Sequence, residues 1–334
     1  MSRTSLDRLT RQVVRYFKTC AAQYGLRPEA ISARYILNWG GFVNASFTVG
    51  DGERFVHLKL ADEEDSLRRL ERWRALHEVL EARYRAPQML GWAAIEKTPF
   101  EGPVFEFLPG KNADFSANPA LLAQVLDLLT RLHGDQELAA RLAEWDGEAE
   151  TCTDYFLDTY IERFDEDLSI VVGDLPEFVP LKTVDWMQGE TRHLEALTRE
   201  TPAFALPAAS PTHGDLWPNN ILVSAAGDWR IVDWDDLALG DPALEYSIVL
   251  SQIWDETAER DPSGANLLPV AVPADAALKE RLAVCLRAHL LDQVIDSLAD
   301  YVEADFAPEH QAQVKAEKQR IHQAALEKYR RIYD

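Results

Sequence analysis

The residues best suited to chemistry lie in two short runs. The first is His213-Gly214-Asp215-Leu216-Trp217-Pro218-Asn219-Asn220, and the second is Trp229-Arg230-Ile231-Val232-Asp233-Trp234-Asp235. Phosphoryl transfer from a nucleotide needs a carboxylate to orient an attacking hydroxyl and take its proton. It also needs oxygen ligands that hold Mg²⁺ against the phosphates, because positioning and charge stabilisation supply nearly all of the catalysis. Asp215 suits the first task. Asn220, five residues on, and Asp233, at the end of an apolar strand, suit the second. Mg²⁺ keeps several waters, so two protein oxygens suffice. A two-metal hydrolase site is the rival reading, but only His213 in this cluster offers an imidazole.

The pattern His-x-Asp-x4-Asn followed by an apolar strand ending in Asp resembles the catalytic and metal-binding loops of protein-kinase-like folds. With Gly214 before the aspartate, and Gly240-Asp241-Pro242 after the second run, it is similar to the aminoglycoside phosphotransferase and choline kinase superfamily over roughly residues 30–250. The resemblance implies ATP (with GTP left open) and Mg²⁺. It makes Asp215 the base and Asn220 and Asp233 the metal ligands. It also implies that Lys59 contacts the α- and β-phosphates while a helix glutamate holds it. Glu71 is the expected partner, with Glu63, Glu64 and Glu78 as competitors. Gly40 and Gly41 would cover the phosphates, since no Cβ blocks the backbone there. His57 would meet the adenine face or simply pack in its strand. The backbone of Glu106, Phe107 and Leu108 would meet the adenine edge in the segment joining two lobes.

Two features narrow the acceptor. Gly214 cannot dock a phosphorylated activation loop, and only seven residues separate Asp233 from Asp241, too few for a peptide platform. A small-molecule hydroxyl is therefore the expected acceptor. Asp235 and Glu245 are candidates to face it, as are Asp154 and Tyr155 in an acidic run. Trp254 is a candidate for an aromatic cage around a quaternary amine. Asp241 is expected to brace its loop, and His213 and His133 are expected to be structural.

The surrounding periodicities supply elements to hold these residues. Apolar positions 6, 9, 13, 17, 20 and 24 mark a first amphipathic helix. β-like runs follow at 33–39, 44–49 and 54–61, separated by Gly-Gly and Gly-Asp-Gly turns. A helix is expected over about 62–81 with Leu67, Leu70, Trp73, Leu76 and Leu80 on one face, then strands near 88–93 and 103–107. Residues 118–200 read as mostly helical, as do 278–302 and 311–329. Strands first and helices later give an α+β, bilobal, protein-kinase-like fold with a small antiparallel-sheet N-lobe and a larger, mostly helical C-lobe. The expected division is 1–29 as a helical extension, 30–108 as the nucleotide-binding lobe and 109–334 as the catalytic and acceptor lobe.

The chain has 334 residues, 47 % hydrophobic and 27 % charged, with a formal charge of −22. Residues 1–110 hold 16 basic and 14 acidic side chains, whereas residues 111–334 hold 18 against 42. That field repels nucleic acid and anionic lipid and attracts a small cation. A neutral or zwitterionic acceptor (a sugar, an amino acid or methylthioribose) is the alternative, as is a catalytically idle nucleotide-binding module. The three scattered cysteines give neither a disulfide framework nor a zinc site, and no run is apolar enough for a membrane span. The start lacks a signal-peptide core, so a cytoplasmic enzyme is expected. Oligomeric state is not encoded in any recognisable way.

Overall fold

The computed structural model describes residues 3–36, 44–264, 267, 275–304 and 311–334. The expected phosphate-covering pair Gly40 and Gly41 lies outside the described residues. The chain divides into two compact units, residues 1–113 with 218–237, and residues 114–217 with 238–334.

The first unit opens with α1 (Arg3–Cys20), whose Leu9, Val13 and Phe17 recur at four-residue steps and are buried. That apolar stripe packs against β1, so the extension is part of this unit and shares its core. Five antiparallel strands follow, β1 (Ser32–Tyr35), β2 (Ala45–Gly50), β3 (Phe55–Leu60), β4 (Met89–Ala94) and β5 (Glu101–Glu106), in the order β1-β2-β3-β5-β4. The β2–β3 turn is tied by Asp51, whose carboxylate accepts from the backbone N–H of Glu53 and Arg54, both at 2.9 Å, and of Arg27 at 3.0 Å. Those donors hold the Asp51 carboxyl well below the usual range.

Helix α2 (Glu64–Tyr84) connects β3 to β4 and buries Leu70, Trp73, Leu76, Leu80 and Tyr84. It stops where Arg85 enters the left-handed region at φ 58°. A second sheet, of three strands, is made by β6 (Lys111–Asn112), β8 (Ile221–Val223) and β9 (Trp229–Ile231). Residues 218–237 therefore fold with the N-terminal sheet, although the sequence places them in the later, helical half. The division at 108/109 differs from the structure in this respect, because strand pairing to Lys111–Asn112 outweighs chain order.

Among its described residues, the second unit is helical apart from one two-stranded ribbon, β7 (Ser210–Thr212) with β10 (Ala238–Gly240). Its helices are α3 (Pro119–His133), α4 (Gln136–Asp146), α5 (Cys152–Phe156), α6 (Glu162–Gly173), α7 (Leu181–Glu200), α8 (Pro242–Thr257), α9 (Ala276–Glu303) and α10 (Gln311–Tyr333). A π-helical turn, Leu157–Ile161, joins α5 to α6. Asn118 caps α3, accepting from the Leu121 N–H at 3.1 Å, and Pro119 at the first helical position costs no hydrogen bond. Helix α9 is buried on most of its faces because α6, α7, α8 and α10 all pack on it.

Candidate active site

The β8–β9 hairpin sets the first part of the site. Ile221 pairs with Ile231, and the Val232 N–H donates to the Asn220 carbonyl at 2.9 Å. This register places Asn220 and Asp233 at the same end of one hairpin. Asp233 itself is left-handed, at φ 69°, a conformation that costs a non-glycine residue energy and is common at functional sites. A short 3-10 turn, Trp234–Asp236, follows it. The Trp234 indole donates to the Ile231 carbonyl at 2.8 Å and locks that turn to β9.

Lys59 comes from β3 of the five-stranded sheet. Its Nζ donates to Asp233 Oδ1 and, at 2.6 Å, to Asp235 Oδ1. Burial opposes charge on the ammonium, but the two carboxylates win and hold its pKa above the ordinary value. Burial likewise opposes charge on Asp233, yet Lys59 keeps that carboxyl below its usual range. Asp235 is the more deeply enclosed of the two, and desolvation raises it. Backbone spacing fixes the height of Lys59: a Cβ on Gly102 of β5 would come within 2.1 Å of the Lys59 carbonyl oxygen.

A cavity of about 320 Å³ opens beside this cluster, within the first unit. Small-molecule sites span roughly 300–1,000 Å³, and it lies at the small end of that range, with room for a base. His57, Lys59, Asp233, Glu106, Phe107 and Leu108 all border it, which brings together six of the residues singled out from sequence. Burial, reinforced by the Lys59 charge, pushes the His57 imidazole down to about 4, so it is neutral near pH 7. The Glu106 N–H is committed to the Gln88 carbonyl at 2.9 Å. Trp73, read from sequence as part of an apolar helix face, and Phe105, read as part of a strand, form another wall with ring centroids 4.3 Å apart.

Glu71 does not join this cluster. It lies exposed on α2, and the described ion pairs of Lys59 run to Asp233 and Asp235. The reason is helical phase. The face of α2 turned inward carries Leu70, Trp73 and Leu76, and Glu71 points about 100° away from Leu70.

Asp215 belongs to the second unit, on the segment that leaves β7, and its support is elaborate. Glu245 Oε1 accepts from the backbone N–H of His213 at 2.6 Å and of Gly214 at 3.3 Å. Its Oε2 lies 2.6 Å from His133 Nε2. The Asp215 N–H donates to His213 Nδ1 at 3.3 Å. Glu245 is thus a buried brace for the Asp215 loop, and the expectation that it faces an acceptor is corrected. Asp241 acts similarly. It caps α8, accepting from the Ala243 N–H at 2.9 Å, and takes both prongs of Arg281 at 2.8 and 3.1 Å.

The other acceptor candidates separate. Asp235 is buried against Lys59 and Asn44, whose amide donates to its Oδ2 at 2.8 Å, so it faces the cluster instead of an acceptor. Trp254 is fully buried, and its indole donates to the Asp261 carbonyl at 3.2 Å, as a core residue would. Asp154 is exposed at the start of α5, taking a hydrogen bond from Thr151 at 2.7 Å. Tyr155 is half-buried, and its hydroxyl would meet a Cβ on Gly240 at 2.7 Å. No sequence signal separated these roles, since each depends on which face its helix buries.

Comparison with known proteins bears on the family and the fold. The description of the phosphotransferase enzyme family matches residues 35–268. No curated protein sequence matches. Among solved structures, the GDP and kanamycin complex of APH(2″)-IIIa superposes with a TM-score of 0.61 at 13 % identity, covering 94 % of this chain and 99 % of that one. The spectinomycin phosphotransferase APH(9)-Ia, with ADP and spectinomycin, gives 0.57 at 12 % over 94 % and 93 %. An ethanolamine kinase from Plasmodium vivax gives 0.55 at 15 % over 94 % and 88 %. At these identities the likeness establishes the protein-kinase-like fold.

Proposed function

Because the chain belongs to the phosphotransferase enzyme family, a small-molecule phosphotransferase class, we propose that it moves the γ-phosphoryl group of ATP to a hydroxyl on a small cationic acceptor. One observation carries this reading: Lys59, Asp233 and a base-sized cavity share a single compact unit, with Asn220 at the same hairpin end. The acceptor oxygen attacks the γ-phosphorus and the bond to the ADP oxygen breaks, while the hydroxyl proton goes to the Asp215 carboxylate. Lys59 is placed to meet the α- and β-phosphates, and His57 and Phe105 to border the base. The main chain of Phe107 and Leu108 is left to meet the adenine edge. Asn220 and Asp233 form an oxygen donor set that fits Mg²⁺, which when bound supplies positive charge against the phosphates.

Charge distribution supports a cationic acceptor. The first unit holds 18 basic and 18 acidic side chains, and the second holds 16 against 38. Related solved structures carrying kanamycin or spectinomycin beside a nucleoside diphosphate support the same substrate class. The test is ADP release against aminoglycosides, spectinomycin, choline, ethanolamine, macrolides, methylthioribose, homoserine and fructosamines. An amine-bearing acceptor should be turned over. Asp215→Asn should lose about 10²–10⁴-fold in kcat while ADP binding is retained. A fully active Asp215→Asn enzyme, or turnover restricted to neutral acceptors, would overturn the reading.

A further inference from the structure

We propose that Asp235, and not a carboxylate on α2, is the positioning residue that holds the Lys59 ammonium toward the nucleotide phosphates. This rests on the reading that Lys59 meets those phosphates. Helix α2 offers the lysine no acid: its inward residues are Ser66, Leu70, Trp73, Leu76, Leu80 and Tyr84. What α2 supplies instead is cationic. Arg69 pairs with Asp236, and Arg72 Nη2 donates to the Asp235 carbonyl at 3.1 Å. The helix therefore grips the 234–236 turn, and the turn grips the lysine.

The two acids on Lys59 are not equivalent. The Asp235 side chain is 8 % exposed and that of Asp233 is 35 % exposed. Asp235 spends one oxygen on Lys59 and the other on the Asn44 amide. Asp233, the more open group, is the one able to release the lysine and turn its oxygens to a cation. With Asp235 in place, Lys59 keeps a partner when that exchange happens. Without it, Asp233 is the remaining anchor, and the lysine and the cation compete for one carboxylate.

The test is ATP binding by titration calorimetry, with Mg²⁺ and with EDTA, on the full chain and on variants shown by thermal melting to be folded. Asp235→Asn should weaken binding of ATP with Mg²⁺ about tenfold, the scale of coupling between contacting residues. In EDTA the loss should be clearly smaller, because no cation competes for Asp233. Asp235→Glu should recover part of the affinity, and Glu71→Gln should stay within about twofold of wild type. In a Lys59→Met background the Asp235→Asn change should cost less than about twofold, because a positioning residue acts only through the group it holds. The proposal is overturned if Glu71→Gln matches Lys59→Met, or if Asp235→Asn still costs tenfold without the lysine. A wild-type protein that binds no ATP under either condition would instead overturn the nucleotide reading, and this proposal with it.

Discussion

The two units of this chain carry their acidic residues in opposite ways. In the first, acids and bases balance at 18 each, and the site crowds two carboxylates onto one ammonium beside an open cavity. In the second, acids outnumber bases by more than two to one, yet the buried Asp241 and Glu245 are individually matched to partners. Arg281 takes Asp241 with two hydrogen bonds, and His133 with two backbone N–H groups takes Glu245. The difference separates groups kept for exchange with a ligand from groups that only hold a loop. A site tuned for exchange is expected to give up some stability, and a brace is not.

The same Asp→Asn change at two positions tests this contrast most severely. At Asp241 it leaves the Arg281 guanidinium buried without its counter-charge, which should cost about 3–5 kcal/mol in denaturant unfolding. Asn can still cap α8, so the loss reports the ion pair. At Asp233, the more open acid, it leaves Lys59 still paired to Asp235, so the loss should be clearly smaller. Equal losses at both positions would erase the distinction.

A third acidic group sharpens it. Burial pushes Asp292 on α9 up to about 7, although Arg163 pairs with it, and Asp167 on α6 is raised to about 6. An acid with a raised folded pKa is bound to its proton more firmly when folded. Its stabilising contribution is therefore complete below the unfolded value near 4 and fades as pH rises through about 7. Asp292→Asn should consequently gain about 2–3 kcal/mol relative to wild type on going from pH 5 to pH 8. Parallel unfolding curves at the two pH values would show that Asp292 behaves as a brace.

The smallest expected effect concerns the charge imbalance itself. Raising ionic strength from 0.01 to 0.15 M shortens screening from roughly 30 to roughly 8 Å. The KM of a cationic acceptor should rise about three- to tenfold over that range, with a lesser change in the KM for nucleotide. A flat response would mean that the acidic unit does not steer the acceptor.

Much of this arrangement was legible in the sequence, for reasons that differ by residue. The helices at 276–303 and 311–333 follow apolar periodicity that survives folding unchanged. That Asn220 and Asp233 sit together was legible because a short turn between two apolar runs implies one hairpin, and the register places them at the same end of it. Lys59 was legible, but its partner was not. The pairing with Asp235 spans 176 residues and depends on a turn, whereas Glu71 was chosen for its place on a helix. The apolar stripe on α2 held the warning, since a glutamate one residue from Leu70 cannot share its inward face. Glu245 read as a site acid because charge alone does not reveal whether a carboxylate is already satisfied.

Gly102 deserves its place beside the charged residues. It bears no functional group, but strand β5 can approach β3 there only because an atom is missing: a methyl would intrude on the Lys59 carbonyl and come within 3.2 Å of Leu70. A mutational scan of the whole gene would consequently score this position as intolerant as a reactive residue. The seat of the lysine's backbone is inherited from an empty volume in the neighbouring strand.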